Sequence, residues 1–319
     1  MNKNVRLVLR CVVFLLIFAV LIVITSYLFL PKNGKNNYRI SDMAAYGIEN
    51  EPKNTIDVLI VGDSETYSSI SPMRMWEEKG FTSYVCATSG QFLFDSYDFV
   101  ENALKTQSPK AIILETNAIF RKFNLNNYIG AQVGRKVPII KYHNRWKYLK
   151  PYDFGGKIAT DTENAYKGFI PEFEVESIET TDYMKKSKKV VPIPELNQDC
   201  LQDIVTICKE NNTKLILVST PSIRNWNYKR HNGVKEFAKK NDLVYLDLNL
   251  KNDKVLIDWA MDTRDRGDHL NIAGATKVST YLAQYLDKKL DLPDHRQDSS
   301  YSDWNEKLKD YKEKVEQHK

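Results

Sequence analysis

Ser64 and His269 are the two residues of this chain whose type and setting could do covalent chemistry together. Serine is a weak nucleophile until a base takes its proton, and imidazole is the commonest base. Ser64 follows Ile56-Asp57-Val58-Leu59-Ile60-Val61-Gly62-Asp63, an apolar, β-branched run closed by Gly and Asp. A run of that kind fits a buried strand of a parallel sheet better than a helix. Gly62 frees the backbone to turn sharply. Taken alone, the segment reads equally well as a strand ending in an ordinary Gly-Asp-Ser turn. Gly267-Asp268-His269-Leu270-Asn271, far downstream, shifts that balance. An acid must orient the imidazole and stabilise its charged form, and Asp265 and Asp268 both stand near. Adjacent side chains of an extended segment point to opposite faces, which makes Asp268 awkward for the ring of His269. Asp265, one loop back, can return to it and is preferred.

These groups meet only if the chain brings strand ends to one edge. After Ser64, Ser71-Pro72 opens a helix to Lys79, with Pro72 suited to its first turn. Strands are expected at 83–88 and 110–117, with a helix over 95–107 between them. The rhythm resumes with a helix at 196–211, strands at 214–219 and 243–248, and a helix at 231–241. Asn271 then reads as the N-cap of a last helix, with Val278, Tyr281, Leu282 and Tyr285 on its inner side. Strands alternating with helices predict an α/β, three-layer sandwich around a parallel sheet. Reactive groups of such sheets sit beyond the carboxyl ends of the strands. Ser64 and His269 both fall there, as do three donors suited to a developing oxyanion: the N–H groups of Ser64 and Gly90 and the amide of Asn117.

The flanks differ in character. Residues 11–30 are apolar enough for one membrane-spanning helix. Lys3, Arg6 and Arg10 precede the span, so the 1–10 end is expected in the cytoplasm and the rest outside. A cleaved signal peptide competes, but no Ala-x-Ala site follows the span, which favours an uncleaved anchor. Residues 31–54, rich in Asn and Lys, read as a linker, 55–292 as the α/β domain, and 293–319 as a charged tail. Trp304, Leu308, Tyr311 and Val315 form one stripe on that tail, for packing on this domain or a partner, or as a solvated helix. Between 118 and 194 the α/β rhythm stops, which predicts a functional insertion over one face. The four cysteines do not make a disulfide framework: Cys200 and Cys208 lie about 12 Å apart along one helix. A net charge of +5 with interspersed signs gives no nucleic-acid footprint. Five scattered histidines give no metal spacing, and no Gly-rich phosphate loop precedes a helix, so neither metal nor cofactor is expected.

The order Gly62-Asp63-Ser64, Gly90, Asn117, then Asp268-His269-Leu270-Asn271-Ile272-Ala273-Gly274-Ala275 resembles the SGNH (GDSL-type) esterase and acyltransferase superfamily over about residues 56–290. The resemblance implies a flavodoxin-like sandwich, Ser64 as nucleophile, His269 as base, and Ser64, Gly90 and Asn117 as oxyanion donors. Three positions depart from it. Glu65 stands where Leu is usual, the third block reads Glu115-Thr116-Asn117-Ala118, and the acid position three before the histidine holds Arg266. With an outward-facing anchor, the chain is also similar to cell-envelope acyl-transfer proteins, the DltD-like and AlgX/AlgJ-like branches. That likeness implies a cell-surface polysaccharide or teichoic-acid-like polymer as acceptor and a multi-spanning membrane O-acyltransferase as partner.

Two aromatic clusters are candidates for the acceptor site. One holds His143, Arg145 and Trp146; the other holds Trp226 and His231. The alternative is that both simply carry buried area. The chain is thus expected to be an extracytoplasmic serine acyltransferase or esterase that moves an acetyl or D-alanyl group through Ser64. The competing reading is a degenerate SGNH module that binds polymer or scaffolds a membrane complex.

Overall fold

A computed structural model describes residues 2–30, 32, 40–147, 149–155, 165–179 and 182–318. In chain order its elements are α1 Lys3–Phe29, α2 Ile40–Tyr46, β1 Val58–Gly62, α3 Ser64–Ser69, α4 Pro72–Lys79, β2 Ser83–Ala87 and α5 Leu93–Leu104. Then follow β3 Ala111–Glu115, α6 Leu125–Lys136, α7 Pro138–Tyr142, α8 Glu195–Glu210, β4 Lys214–Ser219 and α9 Tyr228–Lys240. β5 Val244–Asp247, α10 Asn252–Val255, α11 Ile272–Lys289 and α12 Ser302–Glu316 complete the chain. They form two compact units, Met1–Tyr38 with Phe123–Thr160, and Arg39–Lys122 with Asp161–Lys319.

The larger unit is built on a five-stranded, wholly parallel sheet of order β2-β1-β3-β4-β5. β1, β2 and β3 are buried at every residue, as strands covered on both faces must be. Side chains alternate between faces. Val58, Ile60, Ile113, Ile216 and Val218 meet Val278, Leu282 and Leu286 of α11 in one core, while α5 and α8 pack over the other face. Asn271 caps α11 by accepting from Ala273 and Gly274 N–H at 3.0 and 3.3 Å. The chain reverses direction between β1 and β3, the switch point where open α/β sheets hold their sites. Val61 pairs with Leu114 there, so Ser64 and Asn117 each stand three residues past paired positions.

Two segments differ from expectation. Residues 40–50, expected within a linker, fold as α2 and a 3-10 turn, Gly47–Asn50, and bury Met43, Ala44, Ala45 and Ile48. Tyr84 Oη donates to the Ala44 carbonyl at 2.8 Å, and Val85 N–H donates to the Lys167 carbonyl at 2.9 Å. Together these cover the outer edge of β2, which would otherwise offer unpaired groups. The insertion is more helical than its Gly and Pro content suggests. α6 and α7 belong to the smaller unit, where Arg145 is buried and donates to the Phe29 carbonyl at 2.8 Å and the Leu30 carbonyl at 2.5 Å. Those carbonyls end α1 and lack intrahelical partners.

The tail, whose surroundings the sequence left open, packs on the larger unit. Trp304 and Tyr311 are 1% and 4% exposed, and the Trp304 ring packs tilted against Trp76, with centroids 5.2 Å apart. Lys167 Nζ lies 4.6 Å from the Trp304 ring and ion-pairs Glu51 at 2.9 Å and Asp303 at 3.1 Å. We expect Trp304→Ala to cost about 3–5 kcal/mol in urea unfolding, the usual loss for a buried Trp. A change of under about 0.5 kcal/mol would mean that α12 is a detachable tail.

Candidate active site

Ser64 is the first residue of α3, immediately beyond β1. A Cβ on Gly62 would overlap the Thr66 hydroxyl and lie 2.8 Å from Glu115 Cβ, so the turn from strand into helix closes only over glycine. Asp63 is the N-cap, its Oδ1 accepting from Glu65 N–H at 3.1 Å. Its other oxygen accepts from Asn117 Nδ2 at 3.0 Å and Arg121 Nη2 at 2.6 Å. A fully buried carboxylate with these donors is a fixed hub rather than a strained charge. Each Asn amide nitrogen carries two hydrogens. Asp63 takes one from Asn117, which orients the group. The N–H of Ser64, among the first amides of a helix, lacks an intrahelical acceptor. Gly90 adopts φ +65°, and nothing lies within 4 Å of where its Cβ would stand. Its neighbour Ser89 meets the Tyr67 hydroxyl, which fastens the Gly90 turn to α3.

His269 Nε2 is 2.8 Å from Ser64 Oγ across 205 residues of sequence. His269 Nδ1 is 2.6 Å from Asp265 Oδ2, and the His269 backbone N–H donates to Asp265 Oδ1 at 2.6 Å. One carboxylate therefore holds both the ring and the main chain of its histidine. Asp268 Oδ1 is 3.9 Å from Nδ1, beyond hydrogen-bond range. The spacing of four between acid and histidine is absorbed by the backbone. Arg266 and Gly267 both take positive φ, +58° and +81°, which curls the chain so that Asp265 faces back. The curl is held from outside. Arg266 N–H donates to the Glu176 carbonyl at 3.0 Å, Gly267 N–H to Thr263 Oγ1 at 2.7 Å, and Arg224 N–H to the Gly267 carbonyl at 3.1 Å. Residues 172–178 of the insertion strap this loop, with Glu176 N–H on the Thr263 carbonyl and Asn271 Nδ2 on the Glu174 carbonyl.

Asp268 has other partners. Asn225 Nδ2 donates to Asp268 Oδ1 at 2.5 Å and to Glu65 Oε1 at 2.6 Å. Glu65, Asp268 and His269 are the one group of acids and histidine among the described residues with ligand atoms close enough for a metal ion. The Asn225 amide already lies between the two carboxylates, and both nitrogens of His269 are engaged, so the donor set fits an internal hydrogen-bond bridge better than a cation. Arg230 Nη1 donates to Asn117 Oδ1 at 3.2 Å and to the Asn225 carbonyl at 2.5 Å. Its guanidinium lies 5.2 Å from the Phe120 ring. Arg121 thus reaches Asn117 through Asp63, and Arg230 binds it directly. Neither carried a signal in the sequence, since Arg121 follows a 3-10 turn and Arg230 sits in the first turn of α9, just ahead of the helix expected there.

No family model and no curated protein matches the chain. Among solved structures it is similar to an inferred acylhydrolase from Bacteroides fragilis, at 13% identity, covering 80% of this chain and 99% of that one, with a TM-score of 0.40. It is also similar to a GDSL-like lipase from Bacteroides thetaiotaomicron, at 12% identity, 79% and 100% coverage and a TM-score of 0.40. A third is TesA, at 11% identity, 73% and 99% coverage and a TM-score of 0.38.

The side chains of the aromatic clusters have partners of their own. Trp226 Nε1 and His231 Nδ1 both engage Asp247 Oδ2, at 2.9 and 2.7 Å, and both residues are buried. With Tyr245 Oη also on that oxygen, the group is a closed core network. His143, Arg145 and Trp146 belong to the smaller unit. His143 Nδ1 pairs with the Ile140 carbonyl, Arg145 is committed to α1 and Asp153, and Trp146 is 64% exposed.

Burial beside Asp63 pushes the Glu115 carboxyl up to about 8, and burial with Asp63 and Glu115 raises Glu65 well above its ordinary value. The unfolded chain releases the Glu115 proton near 4.5. Between those values the native state holds more protons, so stability is full below the lower value and is lost as pH rises through the upper one. Thermal melts should fall from about pH 5 to about pH 8, and Glu115→Gln and Glu65→Gln should each flatten the fall, because an amide has no proton to lose. An unchanged slope in both variants would contradict this electrostatic picture.

Proposed function

We propose that the chain is a membrane-anchored, extracytoplasmic serine esterase or O-acyltransferase of the SGNH type, working through an acyl ester on Ser64. The observation that carries this reading is the unbroken line from Ser64 Oγ to His269 Nε2 and from His269 Nδ1 to Asp265. Ser64 Oγ attacks the acyl carbonyl as His269 Nε2 takes its proton. Asp265 keeps the proton of the imidazole on Nδ1 and stabilises the imidazolium. The N–H groups of Ser64 and Gly90 and the free hydrogen of the Asn117 amide receive the oxyanion, where one such donor is worth about 10²–10³ in rate. His269 returns the proton to the leaving alcohol. A second hydroxyl, from water or from a polymer, then attacks the ester with His269 again as base. Hydrolysis and transfer share every step but the identity of that last nucleophile.

Several features support the wider setting. α1 is a 27-residue apolar helix whose central window is unburied, long enough to cross a bilayer. Lys3, Arg6 and Arg10 on its N-terminal side favour that end inside. The acceptor in this reading is a cell-surface polysaccharide or teichoic-acid-like polymer, and the group moved is acetyl or D-alanyl. A multi-spanning membrane O-acyltransferase would present the acyl group, as in the envelope proteins the sequence resembles.

The two acids give opposite forecasts. Asp265→Asn should reduce turnover of a small activated ester by about 10⁴-fold, since the amide favours the wrong tautomer. Asp268→Asn should cost roughly tenfold or less, because its carboxylate bonds Asn225 rather than the ring. Thermal melts of both variants exclude unfolding. A large loss in Asp268→Asn alone would reverse the assignment, and wild-type rates in both would leave Ser64 and His269 as a dyad.

A further inference from the structure

The smaller unit carries an apolar surface that the proposed chemistry does not use. Outside α1, seven of the thirteen strongly exposed large apolar side chains of the described residues fall between Leu125 and Phe154. Leu125, Ile129 and Val133 recur at spacings of four along α6 and are 65%, 48% and 39% exposed. That spacing makes one stripe on the helix. Ile140, Trp146 and Phe154 extend the surface, at 46%, 64% and 66%. A surface of this size on a water-facing module would be a liability, so something covers it.

Three observations say what covers it. The first is position. α7 lies along the last turns of α1: Ile139 N–H donates to Ser26 Oγ at 3.4 Å, and Arg145 binds the Phe29 and Leu30 carbonyls. From Arg10, the last charge on α1, to Ser26 is about 24 Å of helix at 1.5 Å per residue. That is short of the hydrocarbon core, about 30 Å thick. If Arg10 sits at the inner boundary, the segment docked on Ser26 stands at the outer edge of the acyl chains. The second is charge. Residues 125–154 hold six Lys and Arg against one acid, Asp153, which is taken up by the buried pair with Arg145, leaving five basic residues. Basic residues near a surface of anionic lipid each contribute about 1 kcal/mol of attraction. The third is type. Tyr128 and Trp146 are among the exposed residues, and such rings favour the headgroup level.

We infer that residues 125–154 form a monotopic module that lies in the outer bilayer interface beside α1, its apolar stripe among the acyl chains and its basic side chains other than the buried Arg145 at the headgroups. This rests on the reading of α1 as a membrane span. The occupant is lipid, not a second protein. The buried pair of Arg145 with Asp153, 2.5 Å apart, then has a purpose: it fixes the module to the end of the span without exposing a charge to hydrocarbon.

The test uses the full chain in vesicles of phosphatidylcholine and phosphatidylglycerol, with no other protein present. Cys11→Ser removes the exposed thiol; burial pushes the Cys200 and Cys208 thiols up to about 12 and raises Cys86 well above its ordinary value, so added cysteines label selectively. A fluorophore is placed singly at Phe18→Cys, Ile129→Cys, Val133→Cys and Gln202→Cys, the last as a water-facing control. Lipids with a nitroxide near the top of the acyl chain should quench Ile129→Cys and Val133→Cys several-fold more than Gln202→Cys. Nitroxides near the chain end should quench Phe18→Cys most. Control-level quenching at Ile129→Cys and Val133→Cys, with Phe18→Cys quenched, would overturn the module and leave the anchor standing. An unquenched Phe18→Cys would remove the anchor and the module with it.

Discussion

The site depends on a backbone curl that costs free energy. Arg266 holds a left-handed conformation that a residue with a Cβ disfavours by about 1–2 kcal/mol. Without it, the loop would not turn Asp265 back and His269 would lose its partner. The cost is offset by hydrogen bonds to the loop from three sides: the Glu176 carbonyl of the 172–178 strap and Thr263 Oγ1 accept from its N–H groups, and Arg224 N–H donates to its Gly267 carbonyl. Strain of this kind persists only where surrounding contacts over-determine it, and it recurs at reactive sites. Here the contacts come from segments far apart in sequence. The insertion earns its length partly by bracing a loop that follows it by about ninety residues.

A second constraint is electrostatic. Asp63, Glu65 and Glu115 are all buried close to Ser64, and three charges gathered there would be costly in a low dielectric. The environment separates them. Asp63 accepts hydrogen bonds from Arg121, Asn117 and the amide of Glu65. Glu115 and Glu65 hold their protons instead. Asn117, proposed as an oxyanion donor, is positioned by these groups: its amide N–H donates to Asp63, its side-chain carbonyl accepts from Arg230, and its backbone N–H donates to Glu115 at 2.9 Å.

Most of the sheet was legible because its strands are short apolar runs bounded by turn residues, and burial on both faces demands such runs. Asn271 announced α11 through its cap, and Ser64 and His269 announced themselves through position at strand ends. What stayed hidden was set by tertiary contact. Whether Asp265 or Asp268 faces the ring depends on φ at Arg266, which no periodicity reports. α2 was masked by a polar neighbourhood, its few apolar residues being enough only because β2 has an open edge. α6 did not show an inward-facing stripe because its apolar residues face outward. Trp226 and His231 looked like a binding platform, yet Asp247, sixteen residues past His231, draws their polar atoms inward.

The central claim is that Ser64 is a nucleophile primed by His269, and a fluorophosphonate probe tests it directly. Such a probe reacts only with a serine whose proton a neighbouring base can take. Peptide mapping of the labelled protein should place the adduct on Ser64, and His269→Ala should suppress it strongly while the fold persists. A folded protein that stays unlabelled, or one labelled on another residue, would contradict the account and favour a module that binds its polymer without transforming it.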